Sequence, residues 1–358
     1  MKVDLKQLNE AIKRASTYTV EGLLSRPWLG MLHIKTDSTR EVATIAAFGI
    51  SGLITIALPI EDAACDLDFM VNALQLKKLL KGGGAGAITF DLIDGNLKVT
   101  AKVSRYSMET YKGRKTELPD LGSALTSFSV DSATLKKAFT GCKGISTYPL
   151  LLGIKSNVLT IQGTDGNSAL IYSSKLEQPA LDFTYAFSPD NLQLDKGKTE
   201  VKVYSEWVSF SNGGISQFLM RAEQAPSVTV RSSHPLSHLQ EKEEFQRQLG
   251  IACCYGIEDV TLSFSPGVLT VSGECDAGSM ASDIPVASDA AANYFFGMSP
   301  NATKRAIGYF SKGEIILEIA YAGGDAKTVP CLAISQPGCD YMVVVALTLK
   351  QVTNLPQP

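Results

Sequence analysis

EVATIAAFGISGLITIALPI, from Glu41 to Ile60, is echoed twice further along the chain, by NVLTIQGTDGNSALIYSSKL (157–176) and GVLTVSGECDAGSMASDIPV (267–286). In each block, short apolar-alternating runs flank a turn rich in Gly or Asp, which is how paired strands read in a sequence. Val42, Val158 and Val268 open the blocks at spacings of 116 and 110 residues, and Phe69, Tyr185 and Phe295 open the next runs at the same offsets. That period matches the commonest domain size and far exceeds the roughly 20–50 residues of a solenoid unit. Three sibling domains are predicted, at 1–123, 124–231 and 232–358.

A chain of 358 residues, 45% hydrophobic, can bury two or three cores. It contains no apolar run of about 18 residues, and MKVDLKQLNE lacks the layout of a secretion signal. A cytoplasmic protein with no membrane contact is expected. The seven cysteines (65, 142, 253, 254, 275, 331, 339) form no CxxC pair and point to neither a disulfide framework nor zinc. A net charge of −3 argues against a uniformly basic nucleic-acid binder.

The repeat predicts an α+β fold of two helices plus antiparallel sheet per domain. Leu5, Leu8, Ala11, Ile12 and Ala15 form an apolar stripe at helical spacing. Leu135, Ala138 and Phe139 form a second, capped by Asp131 or Ser132, and Leu239, Phe245, Leu249 and Ala252 a third. Second helices are expected from Val71, from Ser188 (SPDNLQLDKGK, the weakest) and from Ser299. Asp94-Gly95-Asn96 and Asn212-Gly213-Gly214 signal hairpins. The segment from Tyr18 to Arg40 reads as a loop insertion of about 11 residues, and 116–127 and 227–238 as linkers.

The six expected helices hold sixteen Lys or Arg against eight acids, leaving the rest of the chain acidic. A positive helical face on an acidic protein is a footprint for a polyanion. The candidates are Lys6, Lys13, Arg14, Lys77, Lys78, Lys81, Lys136, Lys137, Lys143, Lys196, Lys304 and Arg305, and Lys77-Lys78, Lys136-Lys137 and Lys304-Arg305 put a double-basic pair in each repeat. The acidic run HLQEKEEF departs from the trend.

No convergent acid, base or nucleophile stands out. His234 and His238 have i, i+4 spacing, but Pro235 intervenes and no ligand-type neighbour follows, so no metal is expected. Gly82 to Gly86 lacks the trailing Lys-Ser or Lys-Thr of a phosphate loop and runs into a strand, so it reads as a helix exit. No cofactor and no catalytic residue is expected. A cysteine-dependent enzyme using Cys254 and His238 is the alternative from another class.

The order helix, strands, helix, strands, with LLGI and VLTIQGTDGN (Leu151 to Asn167), SRYSMETYKGRKTELPDL closing the first repeat and YMVVVALTL near the end, resembles the bacterial DNA polymerase III beta subunit, the processivity sliding clamp. The resemblance implies a homodimeric six-domain ring with helices lining a hole that holds duplex DNA. Cations facing phosphates give affinity without base specificity and permit sliding. It also implies a pocket for short peptides of the polymerase and clamp loader, with walls at Leu151, Thr164, Gly166, Asn167, Pro330, Val343, Val345 and Leu347. The implied dimer seam joins Tyr106 to Cys253, Cys254 and Tyr255.

Three departures stand against the family pattern. Asn167-Ser168 replaces the usual His-Arg, SSHPLSHLQ lacks an aromatic and Arg-rich segment, and the chain continues past Leu349 into a tail expected to be disordered. A clamp-like protein that binds replication partners without encircling DNA is the nearer alternative.

Overall fold

Val42, Val158 and Val268 each open the second strand of a three-stranded meander, and the order of elements around them recurs three times. The computed structural model describes residues 1–20, 22–23, 25–62, 65–81, 86–101, 104–113, 119–190, 192–287, 294–323 and 328–353, with side chains outside 231–233, 328 and 348–353. The glycine run at 82–85 lies outside the described residues.

The first repeat comprises β1 (Lys2–Asp4), α1 (Leu5–Ala15), β2 (Met31–Asp37), β3 (Val42–Phe48), β4 (Gly52–Pro59), β5 (Asp68–Asn72), α2 (Ala73–Lys81), β6 (Ala87–Ile93), β7 (Asn96–Ala101) and β8 (Ser104–Glu109). The second comprises β9 (Thr126–Asp131), α3 (Ser132–Ile145), β10 (Leu150–Lys155), β11 (Val158–Thr164), β12 (Ser168–Lys175), β13 (Phe183–Phe187), β14 (Lys198–Val203), β15 (Trp207–Asn212) and β16 (Ile215–Met220). The third comprises β17 (Thr229–Leu239), α4 (Lys242–Cys254), β18 (Val260–Ser265), β19 (Val268–Cys275), β20 (Gly278–Pro285), β21 (Tyr294–Met298), α5 (Pro300–Ile307), β22 (Ile315–Gly323), β23 (Thr328–Ser335) and β24 (Tyr341–Thr353).

Each meander takes a fourth strand, giving the orders β5-β2-β3-β4, β13-β10-β11-β12 and β21-β18-β19-β20. The remaining strands form β1-β6-β7-β8, β9-β14-β15-β16 and β17-β22-β23-β24. Three joints fuse these sets: between repeats β4 pairs with β16 and β12 with β24, and within the third repeat β21 pairs with β24. The chain is α+β with antiparallel sheets, as its pattern predicts. It divides into two compact units, Met1–Leu135 with Ser188–Arg221 and Lys136–Phe187 with Ala222–Pro358, so each joint lies inside one unit.

Local chemistry explains the elements. Asp4, Asn72 and Asp131 accept backbone N–H bonds of 2.9 Å from Gln7, Gln75 and Thr134, capping α1, α2 and α3. Asp94-Gly95 and Gly213-Gly214 take positive φ at all four positions, the geometry of two-residue hairpins. The buried face of the first meander is built from the rows Leu32–Ala47–Ile54 and Ile34–Ile45–Ile56, under the apolar stripe of α1. In the second unit α3 lies so close to β11 that a Cβ on Gly163 would sit 2.2 Å from the Cys142 carbonyl oxygen.

Four expectations need correction. The insertion read over Tyr18–Arg40 ends earlier, because MLHIKTD forms β2 with Leu32, Ile34 and Thr36 buried; the extra length is the 16–30 connection. The second helix from Ser188 does not form among the described residues, leaving five α-helices rather than six. Its place is held by an amide clamp: the Gln193 N–H donates to Gln217 Oε1 at 2.6 Å and Gln217 Nε2 donates to the Gln193 carbonyl. Gln193 Nε2 in turn donates to the Arg14 carbonyl at 3.2 Å and to Thr17 Oγ1 at 2.8 Å, and buried Tyr18 donates to Gln217 Oε1 at 3.1 Å.

The linker at 227–238 is mostly β17, where register shifts between Val230 and Ser232 and between Pro235 and Ser237 accommodate a proline that cannot donate. The tail past Leu349 continues as strand to Thr353, which pairs with Phe295 of β21. Earlier repeats prefigure this contact: the Tyr111 N–H donates to the Met70 carbonyl at 2.7 Å, and the Ala222 N–H to the Ala186 carbonyl at 2.8 Å.

Candidate functional site

Within the five α-helices, thirteen Lys or Arg stand against three acids, so the basic surplus survives the loss of the expected sixth helix. The apolar stripe of α1 faces the sheet and leaves Lys6 and Lys13 exposed; Lys78 and Lys81 on α2 and Lys136, Lys137 and Lys143 on α3 are exposed too. Lys137 reaches over the Tyr341 ring, 5.1 Å from its centroid. Lys196 is exposed on the clamped segment, whereas Lys77 and Lys304 are half-buried. Lys304 lies along α4, its Nζ 3.3 Å from where Gly250 would carry a Cβ.

Two of the expected cations are committed internally. Arg14 places one guanidinium nitrogen 2.8 Å from both carboxylate oxygens of Asp195 and the other 2.8 Å from Glu10. Arg305 pairs with Asp165 of the Thr-Asp-Gly turn. Lys242, at the start of the acidic-looking helix α4, is buried and donates to the carbonyls of Ile307 and Phe310, satisfying the end of α5.

The Thr-Asp-Gly turn is a joint. Asp165 Oδ1 accepts from the N–H groups of Ser168 and Asn167 at 2.7 and 3.0 Å and from the Ser168 hydroxyl at 3.0 Å. Burial pushes the Asp165 carboxyl up, but these donors and Arg305 outweigh it and hold the group below the usual carboxylate range. Thr164 Oγ1 donates to the Ser168 carbonyl at 2.7 Å and accepts from the Gly166 N–H at 3.1 Å. Gly166 supplies the positive φ of +92°, and the Asn167 carbonyl accepts from Ala346 of β24 at 2.8 Å.

The sheet that carries this turn has two different faces. Leu170 and Val343 pair on the face beneath α3, where Leu170 packs at Gly141. Leu151, Gln162, Ile171 and Met342 are consecutive register partners on the opposite face, which opens into a groove of about 710 Å³ with Val228 and Val230 on its border. The Gln162 side chain accepts from the Val228 N–H at 3.0 Å and holds that border.

Strand alternation therefore splits the expected pocket walls. Leu151 and Thr164 share the groove face. Val343 and Val345, at 0% and 1% exposure, belong to the core beneath α3 and α5, together with Leu347 at 5%. Pro330, half-buried opposite Tyr321, also lies off the groove face, while Gly166 and Asn167 are exposed in the turn. Ile171, Met342 and Val344 were missed by sequence reading. Their signal was the strand period itself, which fixes Leu151 and the even-numbered β24 residues to one side once the β12–β24 register is known.

The residues expected at a seam sit on one sheet edge and at one helix end. Tyr106 is half-buried on β8, the last strand of β1-β6-β7-β8. Cys253 is half-buried, Cys254 exposed and Tyr255 56% exposed at the end of α4, and Cys275, beside the edge strand β20, donates its thiol to the Tyr255 carbonyl at 3.2 Å. Burial pushes the thiols of Cys142 and Cys331 up to about 12, so both stay protonated. Among the described residues no group of three or more His, Cys, Asp or Glu is placed to hold a metal ion, and no helix is long and apolar enough to cross a membrane.

No family model matches the chain, and no curated protein matches it in sequence. Solved structures do match. A DNA polymerase sliding clamp from Pseudomonas aeruginosa, solved with a ligand, superposes with a TM-score of 0.81 at 13% identity over 97% of this chain and 99% of that one. A sliding clamp from the same organism bound to griselimycin gives 0.79 at 12% identity, over 97% and 98% of the two chains. The beta subunit of DNA polymerase III from Thermotoga maritima gives 0.73 at 13% identity, again over 97% and 98%. With 97% of its length matched at that similarity, the chain has the fold of the DNA polymerase III beta-subunit sliding clamps.

Proposed function

We propose that this chain is a non-catalytic DNA sliding clamp: a homodimer that encircles duplex DNA and tethers the replicative polymerase as a processivity factor. The observation that carries the reading is the bookkeeping of sheet edges. Inside the chain, the outer meander strand of one repeat pairs with the last strand of the next, as β4 with β16 and β12 with β24. Among the described residues β20 and β8 end their sheets, each paired with no strand of another repeat. They are edges of the two kinds that join elsewhere, and a second copy supplies each with its complement. Such a head-to-tail contact closes into a ring when the rotation permits, with Tyr106 of one copy set against Cys253, Cys254 and Tyr255 of the other.

On this reading three domains, 1–123, 124–231 and 232–358, turn their helices towards DNA. Lys6, Lys13, Lys78, Lys81, Lys136, Lys137, Lys143 and Lys196 meet phosphates, with Lys77 and Lys304 contributing from half-buried positions. Cations of this sort bind any sequence and let the protein slide. The groove at Leu151, Ile171 and Met342 receives short peptides of the polymerase and the clamp loader, flanked by Gly166 and Asn167. Val343, Val345 and Leu347 buttress it from beneath. The protein works in the cytoplasm, where DNA is replicated.

Retention on nicked circular DNA tests encirclement. A clamp stays on the circle at moderate salt and runs off when the circle is cut. Equal loss from both forms would replace encirclement by ordinary surface binding.

A further inference from the structure

The two joint sheets have equivalent outer faces, and one is already occupied. At the β12–β24 joint, Thr164, Ala169 and Val344 are consecutive register partners beside the open groove. The repeat maps them onto Phe48, Leu53 and Phe218 at the β4–β16 joint. Here the face is covered: Leu29, Ala46, Phe48 and Leu53 form a buried cluster, with Val20, Trp28, Trp207 and Phe218 packed against it. Val20, Trp28 and Leu29 all come from the connection between α1 and β2, which is 15 residues long where its counterparts before β10 and β18 have 4 and 5.

We propose that Val20 and Ser25–Gly30 form a built-in strap, lodged in a second docking groove of the same make as the open one. The strap's hydrogen bonds close on itself. Val20 donates to the Leu29 carbonyl at 2.8 Å, Leu29 to the Arg26 carbonyl at 3.1 Å and Arg26 to the Leu23 carbonyl at 3.0 Å. It therefore meets the sheet chiefly as a preformed loop carrying an aromatic and an aliphatic side chain, the way a bound peptide does. The occupant this groove fits is a linear segment with a Trp-Leu or similar pair, and the chain supplies one of its own. Each chain then offers one open groove and one latched groove. The partner chemistry rests on the peptide-groove reading of the second unit; the strap does not.

Both tryptophans of the chain, Trp28 and Trp207, border this cluster, so tryptophan emission reads it alone. The test uses the full chain, a Val20→Ser/Leu29→Ser variant, and a second variant in which residues 20–29 are replaced by a Gly-Ser linker of equal length. The probe is a synthetic fluorescent peptide of residues 18–31 with Phe in place of Trp28. Released chains keep their far-UV dichroism, shift their emission to longer wavelength and bind two peptides per chain where the unmodified chain binds one. Adding Met342→Glu removes one site from each, leaving one and none.

An unmoved emission in the Val20→Ser/Leu29→Ser variant, or no peptide bound by released chains carrying Met342→Glu, overturns the strap. If the unmodified chain binds no peptide while released chains bind one, the strap stands and the reading of the second unit's groove falls.

Discussion

Gly163 decides how closely a helix can approach a sheet. Its missing Cβ leaves room for the Cys142 carbonyl oxygen 2.2 Å away, a backbone atom that cannot swing aside. Overpacking of this kind costs about 1–3 kcal/mol or more, so Gly163→Ala should lower the melting temperature by several degrees, measured by circular dichroism. Asp165 offers a different test. Its carboxyl titrates below the unfolded range, so its contribution is complete above the unfolded value near pH 4 and is lost as pH falls through the lower folded value. Charge-assisted bonds to a mostly buried carboxylate contribute about 1.5–3 kcal/mol. Asp165→Asn should therefore destabilise the chain at pH 7, and melts between pH 6 and pH 3 should show a shallower acid decline than the parent. Parallel declines would assign the acid sensitivity elsewhere. The Thr-Asp-Gly turn was visible in the sequence as a turn, but its partner Arg305 stands 140 residues away, and no local pattern links the two.

Among the elements, helices were legible where an apolar stripe met a cap, as at Leu5–Ala15 after Asp4. They were misread where the stripe was absent. Residues 188–197 carry helix-start chemistry in Ser188 and Pro189, but Gln217, two strands away, holds their backbone open. Gln217→Leu should leave the Gln193 N–H, the Gln193 carbonyl and the Tyr18 hydroxyl short of a partner in a site 1% exposed. At about 1–3 kcal/mol for a buried orphan group, the loss should exceed that of a surface substitution such as Lys196→Ala by several degrees in melting temperature. The helical cations separate into two classes by the same reasoning. Reversing Lys13, Lys78 and Lys136 should flatten the salt dependence of DNA binding by roughly 0.9 for each lost phosphate contact, with little change in melting. Arg14→Gln and Arg305→Gln should do the opposite, because their charge is spent on Asp195 and Asp165. Equal salt slopes for both sets would remove the helical face as the DNA surface. The register error at the groove had a plain cause: Leu151 and Val343 are both apolar, and only the strand pairing shows that they face opposite ways.

At the scale of the molecule, repeat spacing carried most of the information, since Val42, Val158 and Val268 lie at the same place in three like meanders. What it could not carry was the pairing between repeats, which depends on contacts such as Leu53 with Phe218 that no period encodes. The edges at β8 and β20, unmatched among the described residues, set the assembly test. The native particle should weigh about twice 38.3 kDa, and Tyr106→Glu should halve that mass without loss of secondary structure. A parent chain that runs at a single subunit's mass would end the ring.

Strand β24 lies between β12 and β23 and also reaches β21, so one late strand completes three neighbours in the second unit at once. A nascent polypeptide on the ribosome must hold β12, β21 and β23 ready until β24, made after all three, clears the exit tunnel. Translation that halts before residue 341 releases a protein with three bare strand borders, primed for quality control.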